Sequence, residues 1–148
     1  FVGGLSMGGF GALRTAFAYP ENFSGCIALS SALIHNQVMT MTPDNTQGAP
    51  ADYDYYASTF GEPSQLANSV NNPEFLVKKL KADGKEMPKI FMACGTEDSI
   101  MVENRRFRDF LLSENVQVKF QEAPGIHNWD FWCQHIGPGI EYLLGSDV

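Results

Sequence analysis

Short apolar runs bounded by turn residues alternate with helical segments along this 148-residue chain, and this alternation limits the possible folds strongly. Residues 25–30 and 89–94 have the length and composition of buried parallel strands, and residues 116–122 make a third run. Residues 104–113 lie between the last two runs and carry their large apolar side chains at helical spacing. The β-α-β order therefore predicts an α/β domain with a mostly parallel sheet.

The carboxyl-terminal part of the chain predicts a last helix over residues 129–144. Pro138 should kink or interrupt this helix, because proline lacks a backbone N–H and clashes with the preceding turn. Residues 32–87 depart from the alternation, contain a helix from about residue 73 to 82, and are too long for a plain connection. We expect this segment to form a lid or a pocket wall at the carboxyl end of the sheet, with simple surface packing as the alternative.

Residues 4–8 read Gly-Leu-Ser-Met-Gly, a motif typical of a serine nucleophile on a tight turn between a strand and a helix. A short apolar stub precedes the motif, and a helical pattern that Pro20 closes follows it. We expect glycine to be required at Gly4 and Gly8, because a Cβ two residues from Ser6 on either side would collide with neighbouring backbone. The alternative is a glycine-rich turn that only lets a helix approach a strand.

A serine nucleophile needs a general base, and His127 is the best placed of the three histidines. It follows the third predicted strand in a loop that contains a glycine, from which an imidazole can reach back to Ser6. His35 begins the irregular segment. His135 falls within the last predicted helix, where we expect a surface or packing residue.

Asp98 is our choice for the acid that orients the histidine. The sequence Gly-Thr-Glu-Asp at residues 95–98 directly follows the second strand, which places a carboxylate at the same edge of the sheet as Ser6 and His127. Glu97 competes by adjacency and Asp130 by its closeness to His127. Asp130 lies in the first turn of a helix, however, where acidic residues are commonly caps or dipole partners.

The charge balance argues against two classes of partner. A formal net charge of −7 and a pI near 4.8 disfavour binding to nucleic acid or to an anionic membrane, because both reward clustered Lys and Arg. The local basic cluster of Lys78, Lys79, Lys81 and Lys85 is typical of a solvated helix face. No run of about eighteen apolar residues occurs, so we predict no membrane span.

The cysteines predict a reducing compartment, and we place the protein in the cytoplasm. Cys26, Cys94 and Cys133 are odd in number and widely spaced, and two of them lie in apolar runs, which is typical of buried thiols. Their spacing is not that of a metal site. We predict neither a metal nor a cofactor.

Taken together, these motifs resemble the carboxyl-terminal half of an α/β-hydrolase of the esterase D kind, which includes tributyrin and acetyl esterases and S-formylglutathione hydrolases. The blocks that carry the resemblance are GLSMGGFGA at 4–12, CGTED at 94–98 with NRRF at 104–107, and HNWDFW at 127–132. They extend over most of the chain. The resemblance implies an α/β-hydrolase fold in which Ser6, Asp98 and His127 are nucleophile, acid and base.

This resemblance also implies a reaction. A small-molecule ester would be hydrolysed through an acyl-enzyme, with the Met7 backbone N–H as one oxyanion donor and a second donor from a loop that lies upstream of Phe1 in a full-length member. A short-chain carboxylic ester is the expected substrate, with Trp129 and Met101 as expected pocket residues. S-formylglutathione is the alternative within the same chemistry. An inactive half-domain that serves as an assembly or binding fragment is the alternative from another class.

Residues 1–3 leave only about three residues for the strand that leads into Ser6, against a usual strand length of about five or six. We therefore expect a single partial α/β-hydrolase domain over residues 1–148 that lacks its N-terminal strands. Such a sheet would have an open edge with unpaired backbone groups. We expect the chain to form a homodimer through this edge or to associate with its own N-terminal half.

Overall fold

The structure, a computed structural model, describes residues 1–145. Within them a four-stranded sheet has the order β1-β2-β3-β4. The strands are Val2–Leu5 (β1), Gly25–Leu29 (β2), Lys89–Gly95 (β3) and Lys119–Ala123 (β4). The helices are Met7–Ala18 (α1), His35–Val38 (α2), Tyr53–Phe60 (α3), Pro73–Ala82 (α4), Met101–Ser113 (α5) and Trp129–Leu144 (α6), with a 3₁₀ helix at Pro63–Asn68.

All three strand pairings are parallel, and the register aligns the carboxyl ends of the strands. Leu5 is opposite Leu29, Leu29 is opposite Ala93, and Ala93 is opposite Gln121. The segments that follow these strand ends therefore meet at one edge of the sheet. The predicted α/β class with a parallel sheet is confirmed.

The sheet is buried on both faces, which explains the continuous apolar composition of its inner strands. Cys26 and Ala28 of β2 point into a core that α1, α4 and α5 share. Ile27 and Leu29 point to the opposite face, where α6 covers the sheet. The result is a three-layer arrangement with helices on either side of the sheet.

The starts of β4 and α5 each differ from the prediction by three residues, whereas β2 and β3 match it to within one residue. Residues 116–118 are outside β4, although Val116 is buried in the core, so an apolar residue here indicates packing and not strand pairing. Helix α5 begins at Met101, three residues earlier than predicted, because the turn after Asp98 leads directly into the helix. The predicted helices at Pro73–Ala82 and Trp129–Leu144 are confirmed.

Of the two effects expected at Pro138, the interruption is wrong, since α6 continues through this residue, and the kink stays a prediction. The next residue supplies a physical reason. A Cβ on Gly139 would lie 2.9 Å from the Phe91 ring and 3.1 Å from Ile27, so the helix backbone packs directly onto the sheet here. This close packing holds the helix together where one backbone hydrogen bond is lost.

The thiols divide between core and surface. Cys26 and Cys94 are buried as predicted, and burial raises the pKa of each to about 12. Cys133 is not buried, since it lies on the exposed side of α6, and a buried thiol is therefore the wrong prediction for this residue. The four lysines of the basic cluster are exposed. Across residues 1–145, the helices are too short or too polar for any of them to cross a membrane, and no group of three or more His, Cys, Asp or Glu residues could hold a metal.

Candidate active site

Ser6 joins β1 to α1 in a strained backbone conformation. Its φ of 54° and ψ of −122° are rarely adopted by a residue with a side chain. The end of β2 and the residues that follow it bond both backbone groups of Ser6. Ser6 N–H donates to the Leu29 carbonyl at 2.9 Å, and Ala32 N–H donates to the Ser6 carbonyl at 2.9 Å. The serine is therefore held half-buried at the carboxyl edge of the sheet.

The glycine requirement is only partly as expected. A Cβ on Gly4 would lie 2.2 Å from the Gly8 carbonyl oxygen, so glycine is required at Gly4. Apart from its chain neighbours and the backbone of its own helix, a Cβ on Gly8 would have no heavy atom of the described residues within 4 Å, so the collision predicted for Gly8 is wrong. The second restricted position is Gly9, where a Cβ would lie 2.4 Å from Ser31 Oγ. The tight turn at Ser6 thus requires glycine at Gly4, the first residue of the motif, and at Gly9, the residue that follows the motif.

His127 contacts both Ser6 and Asp98. Its Nε2 lies 3.0 Å from Ser6 Oγ, and its Nδ1 lies 2.9 Å from Asp98 Oδ2. Asp98 is only 5% exposed, and its other oxygen accepts a hydrogen bond from Ile100 N–H at 3.1 Å. A carboxylate only accepts, so it selects the tautomer with the proton on Nδ1. The Nε2 lone pair is then free to accept the Ser6 hydroxyl proton.

Glu97 and Asp130 do not take part in this contact. Glu97 Oε2 accepts a hydrogen bond from Gly125 N–H at 2.6 Å, and Glu97 N–H donates to the Gly125 carbonyl at 3.0 Å. The Gly125 N–H is the main cause that lowers the pKa of Glu97. Asp130 is exposed in the first turn of α6, where Asn128 is the N-cap and accepts from Phe131 N–H at 3.1 Å.

The other two histidines lie away from Ser6. His35 is fully buried, and its Nε2 lies 3.1 Å from Glu74 Oε1. His135 is buried on α6, where its Nδ1 bonds the Phe131 carbonyl at 2.8 Å and its ring stacks on the Phe131 ring. His135 is therefore a packing residue.

Ser6 and His127 line a cavity of about 620 Å³. Much of the opposite wall comes from the long segment after β2. Its lining side chains and backbone belong to Ile34, Gln37, Gly48, Ala49, Pro50, Ala51, Tyr55, Tyr56 and Phe60, with Met7, Ala32, Ser99 and Ile100 nearer the serine. The volume falls in the range of roughly 300–1,000 Å³ that is usual for small-ligand sites.

Two residues expected in the pocket lie elsewhere. Met101 is 3% exposed and is buried at the start of α5. Trp129 is 68% exposed and lines a separate cleft of about 210 Å³ beside β1. Most of the lining residues could not be predicted from the sequence, because an irregular segment carries no periodicity to show which side faces a pocket. The only signal was the length of residues 32–87.

This geometry has a defined chemical capacity. The histidine can accept the serine proton while the carboxylate stabilises the resulting imidazolium, which is the requirement for nucleophilic attack on a carbonyl. A parallel sheet with a strained serine between a strand and a helix, followed in chain order by an acid and a histidine, defines the α/β-hydrolase class.

Comparison with known proteins agrees with this class. Residues 1–141 match the Esterase family, described as "Putative esterase", and the chain belongs to this family. An acetyl esterase of Caldicellulosiruptor saccharolyticus is 44% identical over 143 residues, which are 97% of this chain and 53% of the relative.

Two solved structures from Staphylococcus aureus are also similar. The fluorophosphonate-binding serine hydrolase FphF has a TM-score of 0.80 and 26% identity, over 97% of this chain and 53% of its own. The S-formylglutathione hydrolase FrmB has a TM-score of 0.79 and 27% identity, over 97% of this chain and 54% of its own. The chain thus spans about half the length of these relatives.

Proposed function

We propose that this protein is a serine carboxylesterase that hydrolyses short-chain acyl esters. The observation that carries the proposal is the continuous contact from Asp98 through His127 to Ser6 Oγ at the mouth of the cavity. The acetyl esterase relative supports a small acyl group. Apolar and aromatic side chains in the cavity wall suit an ester better than a charged substrate.

In the proposed mechanism, His127 Nε2 accepts the hydroxyl proton as Ser6 Oγ attacks the ester carbonyl. Collapse of the tetrahedral intermediate expels the alcohol, which takes the proton from His127, and leaves an acyl-enzyme. His127 then activates a water molecule that hydrolyses the acyl-enzyme. Asp98 holds the imidazole in the required tautomer throughout.

Met7 is the proposed oxyanion donor. It is the first residue of α1, so its N–H has no acceptor within the helix and is available at the cavity beside Ser6. One such donor contributes on the order of 3 kcal/mol to the transition state. We propose that a second donor comes from polypeptide beyond this chain, as the esterase D resemblance implies.

The residues opposite Ser6 are the proposed acyl pocket. Tyr55, Tyr56 and Phe60 of α3 and the 48–51 turn face the serine across the cavity. We propose that this part of residues 32–87 acts as a lid that excludes water from the acyl-enzyme.

We propose a cytoplasmic location. Cys26, Cys94 and Cys133 are free thiols in the described part of the chain, as is usual in a reducing compartment.

A serine-directed fluorophosphonate reagent tests the proposed nucleophile, with p-nitrophenyl acetate as the substrate. We expect covalent labelling at Ser6 and ester turnover, and we expect Ser6→Ala to abolish both while its circular dichroism and Tm remain those of a folded protein. Ser99→Ala is the matched control, because Ser99 is an exposed serine in the same cavity. Labelling at Ser99, or turnover that survives Ser6→Ala, would contradict the assignment.

S-formylglutathione hydrolysis is the second candidate, and the similarity to FrmB favours it. Fold and site geometry alone do not rank thioester against ester. Comparing kcat/KM for S-formylglutathione and for p-nitrophenyl acetate decides between them. A folded chain that turns over neither substrate and reacts with no fluorophosphonate would indicate an inactive assembly fragment.

A further inference from the structure

Asn104 is a fully buried amide on α5 that bonds the chain after β2. Its Oδ1 accepts from Ser31 N–H at 3.1 Å, and its Nδ2 donates to the Ser31 carbonyl at 2.9 Å. The side chain thus pairs with both backbone groups of one residue, as a neighbouring strand would. Because neither group is exposed to water, losing this amide would leave buried backbone groups without partners.

Ser31 lies within the segment that supports the nucleophile. Leu29, two residues before it, and Ala32, the residue after it, bond the backbone of Ser6. Ser30, between them, has a φ of 42°, so the chain turns sharply here. The strained conformation of Ser6 therefore depends on where Ser31 is held.

The same amide also reaches the acid loop. Asn104 Nδ2 donates to the Ile100 carbonyl at 2.8 Å, and Ile100 N–H donates to Asp98 Oδ1 at 3.1 Å. The Asn104 side chain thus bonds two segments of the site. One is Ser31, in the segment that bonds the Ser6 backbone, and the other is Ile100, in the turn that carries Asp98.

We propose that Asn104 is a positioning residue that sets the placement of Ser6 relative to Asp98 and His127. This inference rests on the proposed esterase function. Misplacement of a reacting group by about 1 Å can cost on the order of 100-fold in rate. The loss of the Asn104 hydrogen bonds to Ser31 and Ile100 should therefore lower kcat with little change in KM.

The test compares Asn104→Ala with Asn72→Ala. Asn72 is also a buried asparagine with side-chain hydrogen bonds, to the Ala67 carbonyl and from Glu74 N–H, but it caps α4. Each variant is titrated with fluorophosphonate to count active sites, and kcat is expressed per titrated site. We expect Asn104→Ala to lower this kcat by about 100-fold, and Asn72→Ala to lower Tm while its kcat per site stays at the wild-type value. A kcat per site within about twofold of wild type in Asn104→Ala would overturn the proposal.

Asn104→Asp provides a variant with nearly the same shape. Its carboxylate cannot donate to the Ser31 or Ile100 carbonyls, but the protonated acid regains one donor. Burial favours the protonated acid, so the ratio of variant to wild-type kcat should rise as the pH falls. A kcat ratio that does not change with pH would contradict the proposal that the hydrogen bonds of Asn104 position Ser6.

A readout without substrate separates this inference from the esterase proposal. The His127 Nδ1 proton, bonded to Asp98, should give a downfield ¹H NMR signal in the wild type and in Asn72→Ala. We expect that signal to shift or broaden in Asn104→Ala. Its persistence unchanged would overturn the role of Asn104. An intact signal in a wild-type protein without turnover would instead contradict the esterase proposal.

Discussion

Glu97 and Asp98 are adjacent in the chain, but their side chains contact different parts of the site. Asp98 is buried against the imidazole of His127, whereas Glu97 is exposed and bonds the Gly125 backbone in the loop that carries the histidine. A Cβ on Gly95 would lie 2.2 Å from the Gly125 carbonyl oxygen, so the two loops pack with no space for a side chain between them. Glu97 therefore holds the histidine loop, and Asp98 contacts the histidine itself.

Removing the charge of Asp98 should lower kcat far more than removing the charge of Glu97 or Asp130. We expect Asp98→Asn to lower kcat by orders of magnitude, about 10⁴-fold in the analogous serine-protease case, because the imidazole would settle in the wrong tautomer. Glu97→Gln keeps an acceptor for Gly125 N–H and should lower kcat only slightly. Asp130→Asn should also lower kcat only slightly. Steady-state kinetics of the three variants measure the ranking. An equal loss in Asp130→Asn would refute it.

At the scale of elements, a partly buried polar network joins α2, α4 and α5. Glu74 Oε1 accepts from Arg106 Nη1 at 2.7 Å and from Asn36 Nδ2 at 3.1 Å, and it also contacts His35. Burial alone would raise the pKa of Glu74. The hydrogen bonds from His35, Arg106 and Asn36 outweigh burial and lower the pKa to about 2.

This network should make stability depend on pH. Because the folded-state pKa of Glu74 lies below its ordinary value of 4.5, its contribution is present above pH 4.5 and is lost as the pH falls toward 2. We expect Glu74→Gln to lower Tm at pH 7 by roughly 3 °C, equivalent to about 1 kcal/mol in a domain of this size. The difference in Tm from wild type should narrow as the pH falls from 4.5 toward 2. Thermal unfolding followed by circular dichroism measures both.

Asp83→Asn is the control for the same helix. Asp83 pairs with Lys79 at the surface, where such pairs contribute little. We expect its Tm to stay close to wild type. A pH-independent difference for Glu74→Gln would show that the carboxylate charge does not support the network.

Sequence predicted the elements that have clear end signals. Helix α4 starts after Asn72, whose side chain accepts from Glu74 N–H, and continues with Pro73, a residue favoured at the first helical position. The direction in which Met101 points could not be predicted in the same way, because it depends on how the turn after Asp98 enters α5. Ser6, Asp98 and His127 were found because each lies within four residues of the end of a strand, and the parallel register brings such positions together.

At the scale of the whole molecule, β1 is one of the two edge strands of the sheet, and β4 is the other. Within residues 1–145 β1 pairs with β2 alone. Beside it lies the cleft that Trp129, Trp132 and Ile136 of α6 line with Gly3 and Leu5. An unpaired strand next to an apolar cleft is a surface on which another chain can pair.

We expect the 148-residue chain to self-associate through β1, most simply as a two-fold dimer. Gly3→Lys should weaken this association, because it places a charge on the open edge while its Cβ meets Ile27 at an ordinary 3.4 Å. Ser113→Lys, at the exposed end of α5, is the control. Analytical ultracentrifugation and an esterase assay over a dilution series measure both size and activity. A compact monomer with undiminished specific activity at every concentration would contradict the prediction.

The contact between Ser6 and His127 joins positions 121 residues apart. Since the strands are ordered along the sheet as they are along the chain, we expect these side chains to meet only after β1 to β4 have all paired in register. Contacts of such long range form slowly and late during folding. On refolding, reactivity of Ser6 toward a fluorophosphonate should therefore recover later than the helical circular dichroism signal. Labelling of this serine would then report the time at which the last strands of the sheet pair.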